Sequence, residues 1–196
     1  MMGSRLDLKN LRDQHRQFYL VVYSLLESDS ARTHCGGGLP DEGLSALGKD
    51  EARKLSARLK KNPFKIRRFY TGAELRTVQW ADFMHDVIKV QMKALHVLND
   101  QNLGEFEGCP MRTGEDAFTV LSNPRGGESD EVFSIRVRQG IEVLLADPER
   151  SLLIAHPRVA KKVLEWLGLK GESLNRATLY SLDLPVGQGL PHLREI

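Results

Sequence analysis

The residues of this sequence best placed to do chemistry are His156, Arg76 and Asp100, with His34 and Cys35 as a second group. His156 follows the apolar run Leu152-Leu153-Ile154-Ala155 and precedes Pro157, after which Val163, Leu164, Trp166 and Leu167 recur at helical spacing. The imidazole therefore sits where a buried strand turns into a helix. In an open α/β sheet, such a turn gathers side chains at the carboxyl end of the strand and N–H groups at the helix start around one crevice, where anions and substrates bind. A lone histidine can equally cap the helix or pack. Arg76 stands in Arg76-Thr77-Val78-Gln79-Trp80-Ala81, and Asp100 in the polar loop Leu98-Asn99-Asp100-Gln101-Asn102-Leu103-Gly104-Glu105-Phe106-Glu107-Gly108. Alone, the first can pair with a helix carboxylate and the second can cap a turn. Arg32-Thr33-His34-Cys35-Gly36 offers an imidazole, and a thiol that a neighbouring arginine would activate, on a glycine-rich loop.

The elements that must position these groups alternate between strand and helix. Phe18 to Tyr23 reads as a central strand, too apolar to be half exposed. Residues 28–43 form a loop; its Gly36-Gly37-Gly38 lacks the Lys-Ser/Thr and helix of a phosphate cradle and reads as a flexible turn. A helix opens near Leu44, with Leu47, Ala52, Leu55 and Leu59 on one face, and stops at Asn62-Pro63. Ile66 to Tyr70 is a second strand, followed by the helix of Arg76 and Gln79, and Lys89 to Val97 alternates as a third strand. In the loop after it, Phe106 is the aromatic anchor. Residues 109–130 form an excursion, Val132 to Leu145 a helix, and Leu179 to Leu184 the last strand, before an irregular tail marked by Pro185, Gly187, Gly189 and Pro191. This alternation predicts a three-layer α/β/α fold with a mostly parallel central sheet. Residues 1–17 read as an N-terminal extension, and 18–196 as a single domain with an insertion around 109–130.

Composition narrows the partners. With 196 residues, 41% of them hydrophobic and 28% charged, the chain suits one well-buried domain. A formal charge of +2 with interspersed signs gives no nucleic-acid footprint. Cys35 and Cys109 lie far apart with no CxxC spacing, so neither a metal site nor a disulfide framework is expected, and no cofactor is called for. A reducing cytoplasm fits, and no run of about 18 apolar residues suggests a membrane span.

Taken in order, Leu44-Ser45-Ala46-Leu47-Gly48, Arg76-Thr77-Val78-Gln79-Trp80-Ala81, Gly104-Glu105-Phe106-Glu107-Gly108, Gly127-Glu128-Ser129 and Ala155-His156 resemble the histidine phosphatase superfamily, the phosphoglycerate mutase-like proteins, over roughly residues 18–184. The resemblance implies a site of two histidines and two arginines at the carboxyl edge of the sheet. One histidine attacks phosphorus, the arginines neutralise the phosphoryl oxygens, the second histidine stabilises the transferring group, and a carboxylic acid protonates the leaving oxygen. A phosphoryl group is moved chiefly by positioning and electrostatic stabilisation, and a nucleophilic imidazole splits hydrolysis into two easier steps. By this resemblance Arg76 matches the second arginine, His156 the second histidine, and Asp100 the acid, one methylene shorter than the usual glutamate.

The departure comes directly after the first strand, where the family has Arg-His-Gly-Glu-Thr. With Glu27-Ser28 aligned to Glu-Thr, the arginine, the nucleophile and the glycine become Ser24, Leu25 and Leu26. A leucine cannot attack phosphorus, and a serine hydroxyl does not replace a bidentate guanidinium. Three readings follow. The first is an impaired or inactive pseudophosphatase with a residual anion pocket at Arg76 and His156, binding a phosphorylated small molecule, inorganic phosphate or a protein. The second is an active phosphomonoesterase or mutase using His34, Cys35 or direct water attack helped by His156 and Asp100. The third is a structural role, with Leu25 and Leu26 filling the crevice.

Overall fold

The computed structural model describes residues 16–23, 36–37, 42–61, 64, 66–110, 122–147, 150–185 and 189–196. Among these residues six strands form one sheet in the order β3-β2-β4-β1-β5-β6. They are β1 (Arg16–Val22), β2 (Arg68–Thr71), β3 (Gln91–Ala94), β4 (Ser151–Ala155), β5 (Leu179–Leu184) and β6 (His192–Glu195). β1 pairs parallel with β4, and β2 parallel with β4 and β3, while β5 runs antiparallel to β1 and β6 antiparallel to β5. The fold is the expected three-layer α/β/α arrangement, its parallel part extended by an antiparallel edge.

Side-chain alternation explains the layers. Leu20, Val22, Leu153 and Ala155 face one side and pack with Phe133, Val137, Ile141, Val159 and Val163. These come from α3 (Asp130–Ala146) and α4 (Pro157–Leu167). Tyr19, Val21, Leu152 and Ile154 face the other side and meet Leu55, Leu59, Trp80 and Met84, from α1 (Ala46–Lys61) and α2 (Leu75–Ile88). β1 and β4 are covered on both faces, which is why their sequences are continuous apolar runs rather than alternating ones.

Several boundaries differ from the sequence expectation. Arg16 and Gln17 belong to β1, where Gln17 Nε2 donates to Asp183 Oδ1 of β5 at 2.8 Å. Leu47 is exposed, and the inward face of α1 is Gly48, Ala52, Leu55, Ser56 and Leu59. The second strand starts two residues later, at Arg68, and the third is a short edge strand followed by a 3-10 turn at His96–Leu98. The tail is not wholly irregular: His192–Glu195 adds β6, a mostly exposed edge strand whose sequence carries little apolar signal. In the polar loop Phe106 is half-buried, and the residues that anchor it are Leu98 and Leu103. Residues 111–121 of the 109–130 excursion, and the whole of residues 1–15, lie outside the described residues. Among the described residues no helix is long and apolar enough to cross a membrane.

Candidate functional site

The parallel strands β1, β4 and β2 end side by side, and the chemistry-bearing side chains gather there. His156 directly follows β4 and is the N-cap of α4, with Pro157 at the first turn, a position that suits its fixed φ and missing N–H. Tyr23, the residue after β1, donates its N–H to the Ala155 carbonyl at 3.1 Å, and its ring centroid lies 5.5 Å from that of His156. The tip of the first strand is therefore adjacent to His156. Ser24, Leu25 and Leu26 come next in sequence and lie outside the described residues, as do Arg32, His34 and Cys35.

Asp100 is the centre of the cluster. Its carboxylate is fully buried and meets His156 Nδ1 at 3.0 Å through Oδ1 and the Arg158 guanidinium at 2.6 Å through Oδ2. Gln101 N–H also donates to Oδ1 at 2.8 Å. Burial works against the charged carboxylate, but the charges of Arg158, His156 and Arg76 and the bond with His156 outweigh it, holding this carboxyl well below the usual carboxylate range. Burial pushes His156 below its ordinary value; Asp100 opposes this, and the two arginines reinforce it. The imidazole is thus neutral near pH 7.

The tautomer follows from geometry. His156 Nδ1 lies 3.0 Å from Asp100 Oδ1 and 3.2 Å from the Arg158 amide nitrogen, and it can donate to the first or accept from the second, not both. With Asp100 ionised, the shorter, charge-assisted contact prevails, so Nδ1 carries the proton and Nε2 the lone pair.

Arg76 sits at the start of α2 with a side chain only 1% exposed. It is ion-paired with the buried carboxylate of Glu74 and donates to the Gly36 carbonyl at 3.1 Å. The other oxygen of Glu74 accepts the Asp100 amide at 3.1 Å, so one carboxylate joins the guanidinium to the Asp100 loop. Gly36 and Gly37 press on that loop too. Gly36 N–H donates to Glu107 Oε2 at 2.6 Å and Gly37 N–H to the Gln101 carbonyl at 2.8 Å, and a side chain at Gly36 would strike Gln101, Glu107 and Leu103. These glycines permit a close backbone approach rather than a loose turn.

The remaining motifs position Asp100. Glu128 receives Arg136 bidentately at 2.8 and 2.6 Å, and Arg136 also donates to the carbonyls of Val97, Asn99 and Asp100. Ser129 caps α3 by accepting from the Val132 amide at 3.3 Å. Gly127 lies against the Asn102 carbonyl and the Gly104 amide, and Gly104 itself has φ of 56°, in the left-handed region. Gln79 Oε1 accepts the Leu44 amide at 2.9 Å, tying the segment before α1 to α2.

The structure thus brings together Arg76, Asp100 and His156, which the sequence singled out, and adds Glu74 and Arg158. Both additions had a signal. Glu74 lies two residues before Arg76 in the turn into its helix, and Arg158 two residues after His156 at the start of another. Among the described residues no group of His, Cys, Asp and Glu side chains is arranged to hold a metal ion.

The carboxyl ends of the parallel strands, where α/β folds form their binding crevices, here collect an imidazole, a carboxylate and guanidinium groups. Residues 27–184 match the histidine phosphatase superfamily (branch 1), and the chain belongs to that superfamily. The match begins just after Ser24-Leu25-Leu26. Solved structures share the fold. Bacillus stearothermophilus YhfR is 18% identical, with a TM-score of 0.75 over 91% of this chain and 95% of its own. Mycobacterial hydrolase 1 is 17% identical, with a TM-score of 0.74 over 93% and 97%. TTHB049 from Thermus thermophilus is 22% identical, with a TM-score of 0.69 over 92% and 96%. No curated protein matches the chain.

Proposed function

We propose that this protein is a histidine phosphatase-fold pseudophosphatase: its histidine-dependent phosphoryl transfer is lost or strongly impaired, and its crevice keeps an anion pocket for inorganic phosphate or a phosphorylated small molecule. The observation that supports this most directly is the Asp100 carboxylate held between His156 and Arg158, beside the end of β1, where the sequence continues as Ser24-Leu25-Leu26. An ionised Asp100 orients His156 instead of protonating a leaving group. The chain then retains groups that hold a phosphoryl oxygen, while a leucine, Leu25, stands where the family has its nucleophilic histidine. A protein partner is a further ligand class consistent with this reading. A cytoplasmic setting is supported by two cysteines far apart in the sequence.

The Nδ1–H tautomer favours one second reading, a residual phosphomonoesterase. His156 Nε2 takes a proton from water as the hydroxyl oxygen bonds to phosphorus, and the ester P–O bond breaks with its electron pair leaving on an aryl oxygen. Hydrolysis of an aryl phosphate between roughly pH 4 and 8, with His156→Ala and His34→Ala variants alongside, separates the two. The pseudophosphatase reading expects no turnover above the variants and saturable phosphate binding. Turnover lost with His156→Ala would establish the second reading, and additional loss with His34→Ala would identify a recruited nucleophile. Absence of both turnover and phosphate binding would leave a filled, structural crevice.

A further inference from the structure

We propose that Arg158 is the anion-binding guanidinium of this crevice, held ready by Asp100 and handed to an incoming phosphoryl group. The proposal rests on the reading above that the crevice takes a phosphoryl group, and it names the residue that makes the contact.

Three observations carry it. First, Arg76 is a poor candidate for first contact, because its side chain is 1% exposed, is neutralised by Glu74 and is engaged by Gly36. Second, the Arg158 side chain is 20% exposed and, on the side of the cluster away from His156, lines a cavity of about 890 Å³ between α3 and α4, together with Gln101, Phe133, Arg138, Trp166 and Leu169; His156, Asp100 and Arg76 do not line it. A ligand in that cavity meets Arg158 without unpacking the core. Third, the tether is one that can be exchanged. When Arg158 leaves Oδ2, Asp100 keeps His156 and the Gln101 amide on Oδ1, so the buried carboxylate is not abandoned.

The exchange favours a particular ligand chemistry. A phosphate monoester carries more negative charge than a carboxylate and offers two oxygens to the planar guanidinium fork, so it competes with Asp100 where a chloride or simple carboxylate does not. The apolar wall of Phe133, Trp166 and Leu169 suits a phosphoester with an aryl or alkyl group more than a sugar phosphate.

The test is calorimetric titration of inorganic phosphate into the full-length protein and the variants Arg158→Gln, Arg158→Lys, Asp100→Asn and Arg138→Gln. Arg138 lies in the same cavity but is paired with Glu142, so its variant controls for general cavity charge. The expected result is at least a tenfold loss of phosphate affinity in Arg158→Gln, a smaller loss in Arg158→Lys and in Arg138→Gln, and equal or tighter binding in Asp100→Asn; an equal loss in Arg138→Gln and Arg158→Gln would reflect cavity charge alone and overturn the proposal. Arg158→Gln and Asp100→Asn break the same ion pair, so a purely structural role weakens binding in both, and that outcome overturns the proposal. Phosphate binding by Arg158→Gln at wild-type strength also overturns it while leaving the pseudophosphatase reading in place. Failure of the wild type itself to bind phosphate overturns both.

Discussion

Glu74 and Arg76 form a buried ion pair across the turn that opens α2, and the same Glu74 carboxylate takes the Asp100 amide on its other oxygen. An arginine matched to phosphate binding is thus charge-neutralised by its own chain. The two side chains are 6% and 1% exposed, so removing one partner strands a charge where water cannot reach it. Glu74→Gln is expected to lower stability by about 3–5 kcal/mol, the usual cost of breaking a buried pair. It also makes the crevice more positive. Added phosphate should raise the melting temperature of Glu74→Gln more than that of the wild type, and an equal phosphate response in the two proteins would show that Arg76 does not feel the anion.

His156 gives stability a predictable pH dependence. Its folded-state pKa is depressed, so below its ordinary value near 6.5 the unfolded chain binds a proton that the folded one resists. Its contribution is complete above about pH 6.5 and is lost as pH falls through the folded value. Asp100 has the same sign, with stability present above its ordinary value and lost only in stronger acid. Urea midpoints measured from pH 7.5 to 5 should fall for the wild type, and the slope should flatten in His156→Asn. Parallel curves would contradict a neutral, buried imidazole.

How much of this was legible in the sequence depends on whether the signal was local. β1 and β4 were plain because double-faced burial writes continuous apolar runs, and His156 was located because an apolar run that ends in His-Pro fixes a strand-to-helix turn. The last strand, β6, was missed because an exposed edge strand has no alternation to read. Leu47 was misplaced because an apolar residue in the first helical turn fits the pattern whether or not it faces the core. Glu74 and Arg158 were marked only by standing two residues from Arg76 and His156. A charged residue near a helix start reads as surface, and only the tertiary meeting of the 96–108 loop with two strand ends joins Glu74 to the Asp100 amide and Arg158 to the Asp100 carboxylate.

Arg136 is the residue that fixes that loop. It gives two bonds to Glu128 and caps carbonyls at Val97, Asn99 and Asp100, so one guanidinium satisfies both a carboxylate and the backbone that carries the site. Its side chain is 22% exposed and that of Glu128 13%, so solvent screens the pair only in part. Arg136→Ala should cost about 2–4 kcal/mol in urea unfolding, between a surface pair and a fully buried one. Arg136→Lys should recover little, because a single ammonium cannot span the carboxylate and the carbonyls together. A loss below about 1 kcal/mol would place Arg136 among ordinary surface pairs.

Gly36 tests whether the segment after the first strand is tied to the site. Its carbonyl accepts from Arg76, its N–H donates to Glu107, and the next N–H, of Gly37, reaches the Gln101 carbonyl. A methyl group there would meet the Gln101 carbonyl, which is backbone and cannot swing aside. Gly36→Ala must therefore push the segment away from Arg76, at a cost of about 1–3 kcal/mol typical of overpacking. The displaced carbonyl no longer occupies Arg76, so phosphate affinity should change together with stability. If Gly36→Ala proves as stable as the wild type and binds phosphate like it, the docking of this segment on Arg76 has no energetic weight.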